Sequence, residues 1–177
     1  MTMAKYKVCL VGCGERGAFH AEGFQANSDR FELAAVCDLN VERLQAFADR
    51  FGIAARYTDA DRMLEAHKPD VFCFATLPNV RLSLVELGIQ HGVKAIAFEK
   101  PMATDLQEAA DILEACRQAG VKAVISHQQK YGPHWQKVKE IVDSGEIGAV
   151  HTIHATSKFW LAELGTPLTD YMILYNG

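Results

Sequence analysis

Hydrophobic and polar positions alternate along the chain in blocks of two kinds. Short apolar runs occupy residues 6–11 (YKVCLV), 31–37 (FELAAVC), 71–75 (VFCFA), 93–98 (VKAIAF) and 121–126 (VKAVIS). Between them lie stretches whose apolar residues recur at helical spacing. Residues 15–28 read as a helix, and Val41, Leu44, Phe47, Ala48 and Phe51 mark another that Gly52 can end. Asn79 is placed to cap a helix running to about His91, with Leu84, Leu87 and His91 on one face. Thr104 and Gln107 have capping-box spacing for a helix that carries Leu106, Ala109, Ala110, Leu113 and Cys116 and stops at Gly120.

Near-continuous apolar strands joined by amphipathic helices imply a parallel sheet covered on both faces. Right-handed crossovers then give an α/β fold, a doubly wound parallel Rossmann sheet, over residues 1–127. The pattern changes beyond that point. Pro133 can open a helix with Trp135, Val138, Ile141 and Val142 on one face, and Gly145 can close it. Residues 147–160 alternate roughly and predict one long strand, which cannot bury its own face alone. Residues 128–177 are therefore expected to begin a second domain and to stop before completing it. No internal repeat or low-complexity linker interrupts the chain.

Composition narrows the class. The 177 residues are 49% hydrophobic and 23% charged, ordinary for a globular protein. With 18 Lys+Arg against 22 Asp+Glu the net charge is -4, so no basic excess favours a nucleic-acid partner. No apolar run reaches the ~18 residues that span a bilayer, and a signal peptide is the weaker reading of the N-terminus. Cys9, Cys13, Cys37, Cys73 and Cys116 never form a CxxC pair and mostly sit in apolar runs, as buried thiols of a reducing compartment would. A cytoplasmic protein with no membrane partner is expected. The seven histidines lack metal-ligand context, so no metal site is expected; His151 and His154, three apart on the long strand, would face opposite sides.

The chemistry concentrates in two turns. Gly12-Cys13-Gly14-Glu15-Arg16-Gly17 is G-x-G-x-x-G, directly after the first strand and opening the first helix. Gly12 permits the turn, Gly14 lets backbone approach a pyrophosphate, and Gly17 lets helix and strand pack closely. Glu15 and Arg16, at the helix start, join the three glycines as cofactor-contacting positions, since helix N–H groups favour anions there. Asp38 lies 21 positions beyond Gly17, at the end of the second strand, where a carboxylate accepts from the adenosine ribose. The alternative is a plain Gly-rich turn in which Asp38 only caps a helix. The Asp38 charge would repel a 2′-phosphate, favouring NAD over NADP. Arg43 could offset that, but reads more simply as a solvated helix-face charge. The second turn is Glu99-Lys100-Pro101, ending the strand at 93–98, on the edge where such sheets bind ligands. Pro101 restricts the lysine to extended geometry, and partial burial would help it release a proton.

Taken in order, VGCGERG at 11–17, VCD at 36–38, ATLPN at 75–79, FEKPMA at 98–103 and KYGPHWQKVKEIVDSGEIG at 130–148 closely resemble the Gfo/Idh/MocA family of NAD(P)-dependent oxidoreductases. The resemblance implies that Lys100 is catalytic and contacts the substrate hydroxyl. It implies that Thr76, Pro78 and Asn79 pass the nicotinamide side of the cofactor, with Glu99 and Lys100 also near it. A second domain with an open-faced α+β sheet would carry substrate residues and a homo-oligomer interface. Asp170 matches a catalytic Asp of that domain, but Leu174 stands where the family often has a His four residues on, and Leu82 where a His often follows the Asn. Lys130-Tyr131 replaces a common Arg-Phe. The expected activity is hydride transfer between NAD, or less readily NADP, and a hydroxyl carbon of a sugar, polyol or related small molecule. The rival is a non-catalytic dinucleotide-binding sensor on the same fold.

Overall fold

The structure is a computed structural model and describes residues 5–154. Twelve regular elements follow in order: β1 (Tyr6–Val11), α1 (Glu15–Ala26), β2 (Phe31–Cys37), α2 (Val41–Phe51), β3 (Ala55–Tyr57), α3 (Ala60–His67), β4 (Val71–Phe74), α4 (Arg81–Gln90), β5 (Ala95–Glu99), α5 (Leu106–Ala119), β6 (Lys122–Ser126) and α6 (Pro133–Asp143). The six strands pair in parallel in the order β3-β2-β1-β4-β5-β6. The chain divides into two compact units after Ser126, the first holding the whole sheet.

Period-two alternation in the strands builds two cores, one on each face of the sheet. Val8, Leu10, Val36 and Cys73 pack with Ala18 and Ala21 of α1 and Leu44, Phe47 and Ala48 of α2. Cys9, Phe72, Phe74 and Phe98 pack on the opposite face with Met63 and Leu64 of α3, Val85 of α4 and Ile112 of α5. Phe74 and Phe98 stack across β4 and β5, ring centroids 5.1 Å apart. All five cysteines are free and buried. Among the described residues no helix is long and apolar enough to cross a membrane.

Four local expectations change. The pattern predicts five strands, whereas the sheet has six. The missing pair is β3 and α3: a three-residue strand carries no measurable alternation, and an eight-residue helix little periodicity. Asn79 does not cap a helix. Pro78–Val80 forms one 3-10 turn, and α4 begins at Arg81 without a side-chain cap. The cap of α5 lies one residue beyond Thr104: Asp105 accepts from the Glu108 amide, and the Glu108 carboxylate accepts from the Thr104 amide and hydroxyl. Finally, residues 147–154 form no strand. A strand requires a ladder partner for its N–H and C=O groups, and none is present among the described residues. His151 and His154 therefore do not lie on opposite faces of a strand; residues 155–160 lie outside the described residues. In the second unit, α6 forms where the pattern puts it, and Trp135, Val138 and Val142 remain 45%, 50% and 39% exposed.

Candidate functional site

All six strands run the same way, so their carboxyl ends share one edge. The strand order reverses between β1 and β4, the point at which sheets of this kind bind ligands. The Gly-rich turn follows β1 at this point. Gly12 adopts φ +95°, and a Cβ on it would sit 2.5 Å from the Ala75 carbonyl oxygen after β4. A Cβ on Gly17 would overlap the Gly12 carbonyl oxygen. Both glycines are thus demanded by the packing of turn, helix and strand. Gly14 differs. Its φ of -80° suits any residue, and a Cβ on it would meet nothing within 4 Å. Neither the backbone nor the protein around it requires glycine, which leaves close approach by a ligand as the physical reason. Glu15 and Arg16 are exposed at the start of α1, and the Arg16 guanidinium lies over the Phe19 ring. Cys13, inside the turn, is no nucleophile: burial first, then the Asp38 charge, pushes its thiol up to about 12.

Asp38 follows β2 and is 5% exposed. It accepts from the backbone N–H of Cys13 (2.7 Å) and of Asn40 (2.8 Å), tying the Gly-rich turn to the start of α2. Asn40, not Asp38, caps α2 by accepting from the Arg43 amide. Arg43 also departs from the solvated-charge expectation. Its Nε and Nη2 donate to the two Asp38 oxygens at 2.9 and 2.7 Å. Burial alone would raise the Asp38 carboxyl; the Arg43 hydrogen bonds and the two amides outweigh it and hold it below the usual carboxylate range.

The second cluster lies at the ends of β4 and β5. Glu99 is 5% exposed and does not reach for Lys100. It accepts instead from His20 Nε2 of α1 at 3.1 Å. Hydrogen bonding to the Cys73 side chain, then to Glu99, pushes His20 up to about 10 despite burial, so it is an imidazolium at neutral pH. Burial would raise Glu99, but His20, the Arg16 charge and Ser126 hold it below its ordinary range. Lys100 itself is exposed, contrary to the expected partial burial. The Lys100–Pro101 peptide is cis.

Two important side chains were not assigned roles from sequence. His20 was legible in principle: it lies three residues after Gly17, on the helix face that packs against the sheet. Arg81 is fully buried, and its Nη2 donates to the carbonyls of both Thr76 and Lys100 at 3.2 Å. One guanidinium thus joins the loop after β4 to the turn after β5, beneath the Phe98 ring. The signal for Arg81 is a local conflict, since a cation in the first turn of a helix opposes the macrodipole and needs a tertiary reason. On the same loop Pro78 is buried and Asn79 exposed, while Thr76 Oγ1 is buried with no hydrogen-bond partner among the described residues. A buried hydroxyl left this way fits a site shaped for a polar ligand. Leu82, at the position of the expected His, packs against the core. Asp170 and Leu174 lie outside the described residues.

Residues 6–127 match the family described as "Oxidoreductase family, NAD-binding Rossmann fold", the Gfo/Idh/MocA oxidoreductases. The chain belongs to this family. It is 37% identical over 147 residues to D-apiose dehydrogenase of Paraburkholderia graminis, covering 83% of this chain and 39% of that protein. It is 25% identical over 171 residues to myo-inositol 2-dehydrogenase of Thermotoga maritima, covering 97% and 49%. Among solved structures, the WlbA dehydrogenase of Bordetella pertussis in complex with NADH and UDP-GlcNAcA superposes with a TM-score of 0.77 at 30% identity, over 82% of this chain and 44% of that one. The chain spans roughly two fifths to half the length of these relatives. As a Gfo/Idh/MocA member it carries the NAD-binding Rossmann fold, and the open Gly14 and orphaned Thr76 hydroxyl fit that cofactor.

Proposed function

We propose that the protein is an NAD(P)-dependent oxidoreductase that transfers hydride between the nicotinamide and a hydroxyl carbon of a sugar, polyol or related compound. NAD is the preferred cofactor and NADP the lesser one, because a 2′-phosphate would meet the Asp38 carboxylate. The relatives support the substrate class: they are named for apiose, inositol and glucoside dehydrogenation. When bound, the cofactor supplies the hydride chemistry. Gly12, Gly14 and Gly17 with the amides at Glu15 and Arg16 hold the pyrophosphate, and Asp38 holds the adenosine ribose. Thr76, Pro78 and Asn79 border the nicotinamide side, next to Glu99 and Lys100. Lys100 holds and moves the proton at the substrate hydroxyl oxygen. Asp170 of the second domain shares that work, and residues 128–177 begin the domain that completes the site and the homo-oligomer interface. Exposure of the apolar face of α6 supports such a continuation. Buried thiols throughout the sheet suit a cytoplasmic setting, and the net charge of -4 suits a small-molecule partner over nucleic acid.

The observation that carries this reading is the position of Lys100. It is exposed at the carboxyl edge, on a turn held by Arg81 through its own carbonyl and by His20 through the preceding Glu99. A side chain so anchored at its backbone and free at its amine can meet a substrate. Lys100→Met in the full-length enzyme is expected to lower kcat by roughly 10²-fold or more with little change in NAD affinity, the scale of general acid–base effects. Near-normal kcat would remove Lys100 from the mechanism. The sensor reading draws on one specific observation, Leu82 packed against the core where a polar side chain is expected. It predicts NAD binding without turnover across a panel of sugars and polyols.

A further inference from the structure

The β4–β5 ladder ends at Phe74 and Phe98, and the loops that follow carry Thr76 and Lys100. Beyond the ladder Arg81 takes over the connection. From a fully buried side chain, its Nη2 donates to the Thr76 carbonyl at 3.2 Å and to the Lys100 carbonyl at 3.2 Å. The guanidinium lies 5.8 Å from the centroid of the Phe98 ring, which itself stacks on Phe74, so the charge is seated on a packed aromatic pair. Burying a cation is unfavourable, and in the first turn of α4 the helix dipole opposes it as well. An apolar side chain of similar length would fill the same space without either penalty. It could not hold two carbonyls that belong to different loops. A guanidinium can, because its N–H groups diverge in one fixed plane.

We propose that Arg81 is a positioning residue: it makes the Thr76 loop and the Lys100 turn one body, so that a cofactor seated on the first also sets Lys100 in place. The proposal rests on the reading of the loop over 75–80 as the nicotinamide side and of Lys100 as the group that handles the substrate proton. The two residues that Arg81 pins share a feature. Each has its carbonyl held from behind while its side-chain polar group is left for other work. The Thr76 hydroxyl is buried with no hydrogen-bond partner among the described residues, and Lys100 is exposed. Pinning the Lys100 carbonyl fixes where its flexible stem begins. The separation between the nicotinamide side and Lys100 is then set by the protein rather than by the ligands. A shift of about 1 Å in such a pair can cost about 10²-fold in rate. Arg81 acts through the two backbones and needs no contact with either ligand.

Amide hydrogen exchange on the 177-residue chain, with and without NAD, decides this for the natural protein, Arg81→Met and Arg81→Lys, with Tm and NAD affinity recorded for each. In the natural chain NAD should slow exchange at Thr76, Leu77, Asn79 and Val80, and slow it about fivefold or more at Lys100, Met102 and Ala103. In Arg81→Met the loop over 75–80 should still respond while the response at 100–103 is lost. Its Tm should stay near the natural value, since exchanging a buried cation for an apolar side chain often leaves stability unchanged. Arg81→Lys keeps a charged donor without the planar fork and should recover part of the response. It carries the same test if Arg81→Met does not fold. In the full-length enzyme Arg81→Met should lower kcat about ten- to 10²-fold, with KM and NAD affinity within about threefold of natural. An undiminished response at 100–103 in both variants would overturn the proposal alone, because the turn would then sense the cofactor directly. A natural-chain response that stops at the loop would do the same. So would parallel loss of Tm, NAD affinity and kcat, or failure of both variants to fold, the marks of a merely structural arginine. No response to NAD at 76–80 in the natural chain would overturn the proposal and the reading of that loop together.

Discussion

The sheet edge holds two buried carboxylates that look alike and behave differently. Asp38 follows β2 and Glu99 ends β5; each is 5% exposed and each meets a cation from a neighbouring helix. At Asp38 the cation is a guanidinium half in water, and two backbone amides share the load. At Glu99 it is an imidazolium whose side chain is only 17% exposed, lodged between α1 and the sheet. The first pair can open without disturbing the fold. The second cannot, because an opened His20 or Glu99 would be a charge in the interior. The Asp38 end of the edge is therefore built for exchange, and the Glu99 end for rigidity beneath Lys100.

Removing the anion at each end breaks this comparison most directly. Glu99→Ala should destabilise the chain by about 1–3 kcal/mol, since it leaves the buried His20 ring without its carboxylate partner. Chemical denaturation checks this, and a loss below about 1 kcal/mol would show that the pair is not interior. Asp38→Ala should cost less stability, about 1–2 kcal/mol, for the orphaned amides of Cys13 and Asn40. Its larger effect is on NAD, whose affinity should fall about tenfold or more with the charged hydrogen bonds to the ribose. Unchanged NAD affinity in this variant would mean that the ribose lies elsewhere.

Gly14→Ala sharpens the contrast between protein and ligand demands. Stability should be unchanged or rise by a few tenths of a kcal/mol, because the site is open and φ is ordinary. NAD affinity should still fall severalfold, about 1 kcal/mol, if the cofactor needs that space. Isothermal titration beside a melting curve separates the two.

The gentlest test is pH. His20 has its folded value raised from 6.5 to about 10, so its stabilisation is whole below 6.5 and drains away as pH climbs toward 10. Glu99 is depressed, so its share is whole above 4.5 and is lost only in acid. Asp38 likewise weakens only in acid, below 3.8, and Arg43 does not titrate in this range. Alkaline softening between pH 6.5 and 9.0 is thus the signature of the His20–Glu99 pair. Above 9.0 the buried Cys9, Cys13 and Cys37 add to it, because their raised values favour the folded state only while the unfolded thiols stay protonated. A His20→Asn chain should have a lower but flatter profile between 6.5 and 9.0. A slope equal to that of the natural chain would take His20 out of the account.

Much of the fold was legible because it rests on local periodicity. Continuous apolar runs marked β1, β2, β4, β5 and β6, and αL glycines stopped α2 and α5 where the pattern put them. The short β3 and α3 were invisible for want of length, and the strand expected over 147–160 lacked any partner to pair with through residue 154. At the site, motif spacing put Gly12, Gly14, Gly17, Asp38 and Lys100 on one edge in advance, and the family resemblance added Thr76. It missed what joins them: Arg81 across two loops, His20 beneath Glu99, and Arg43 on Asp38.

What this chain's sequence determined unaided is the alternation of buried strands with amphipathic helices, and with it a parallel sheet whose carboxyl edge carries a dinucleotide turn. Periodicity and turn chemistry act over a few residues, and a linear string displays them. Only the tertiary structure decided which charge answers which. Glu99 sits next to Lys100 in the chain yet is held by His20, 79 residues away, because neighbours on a strand point apart while a helix crossing the sheet brings its side chains down on strand ends. Burial makes such a pairing obligatory, and burial is a property of the folded whole.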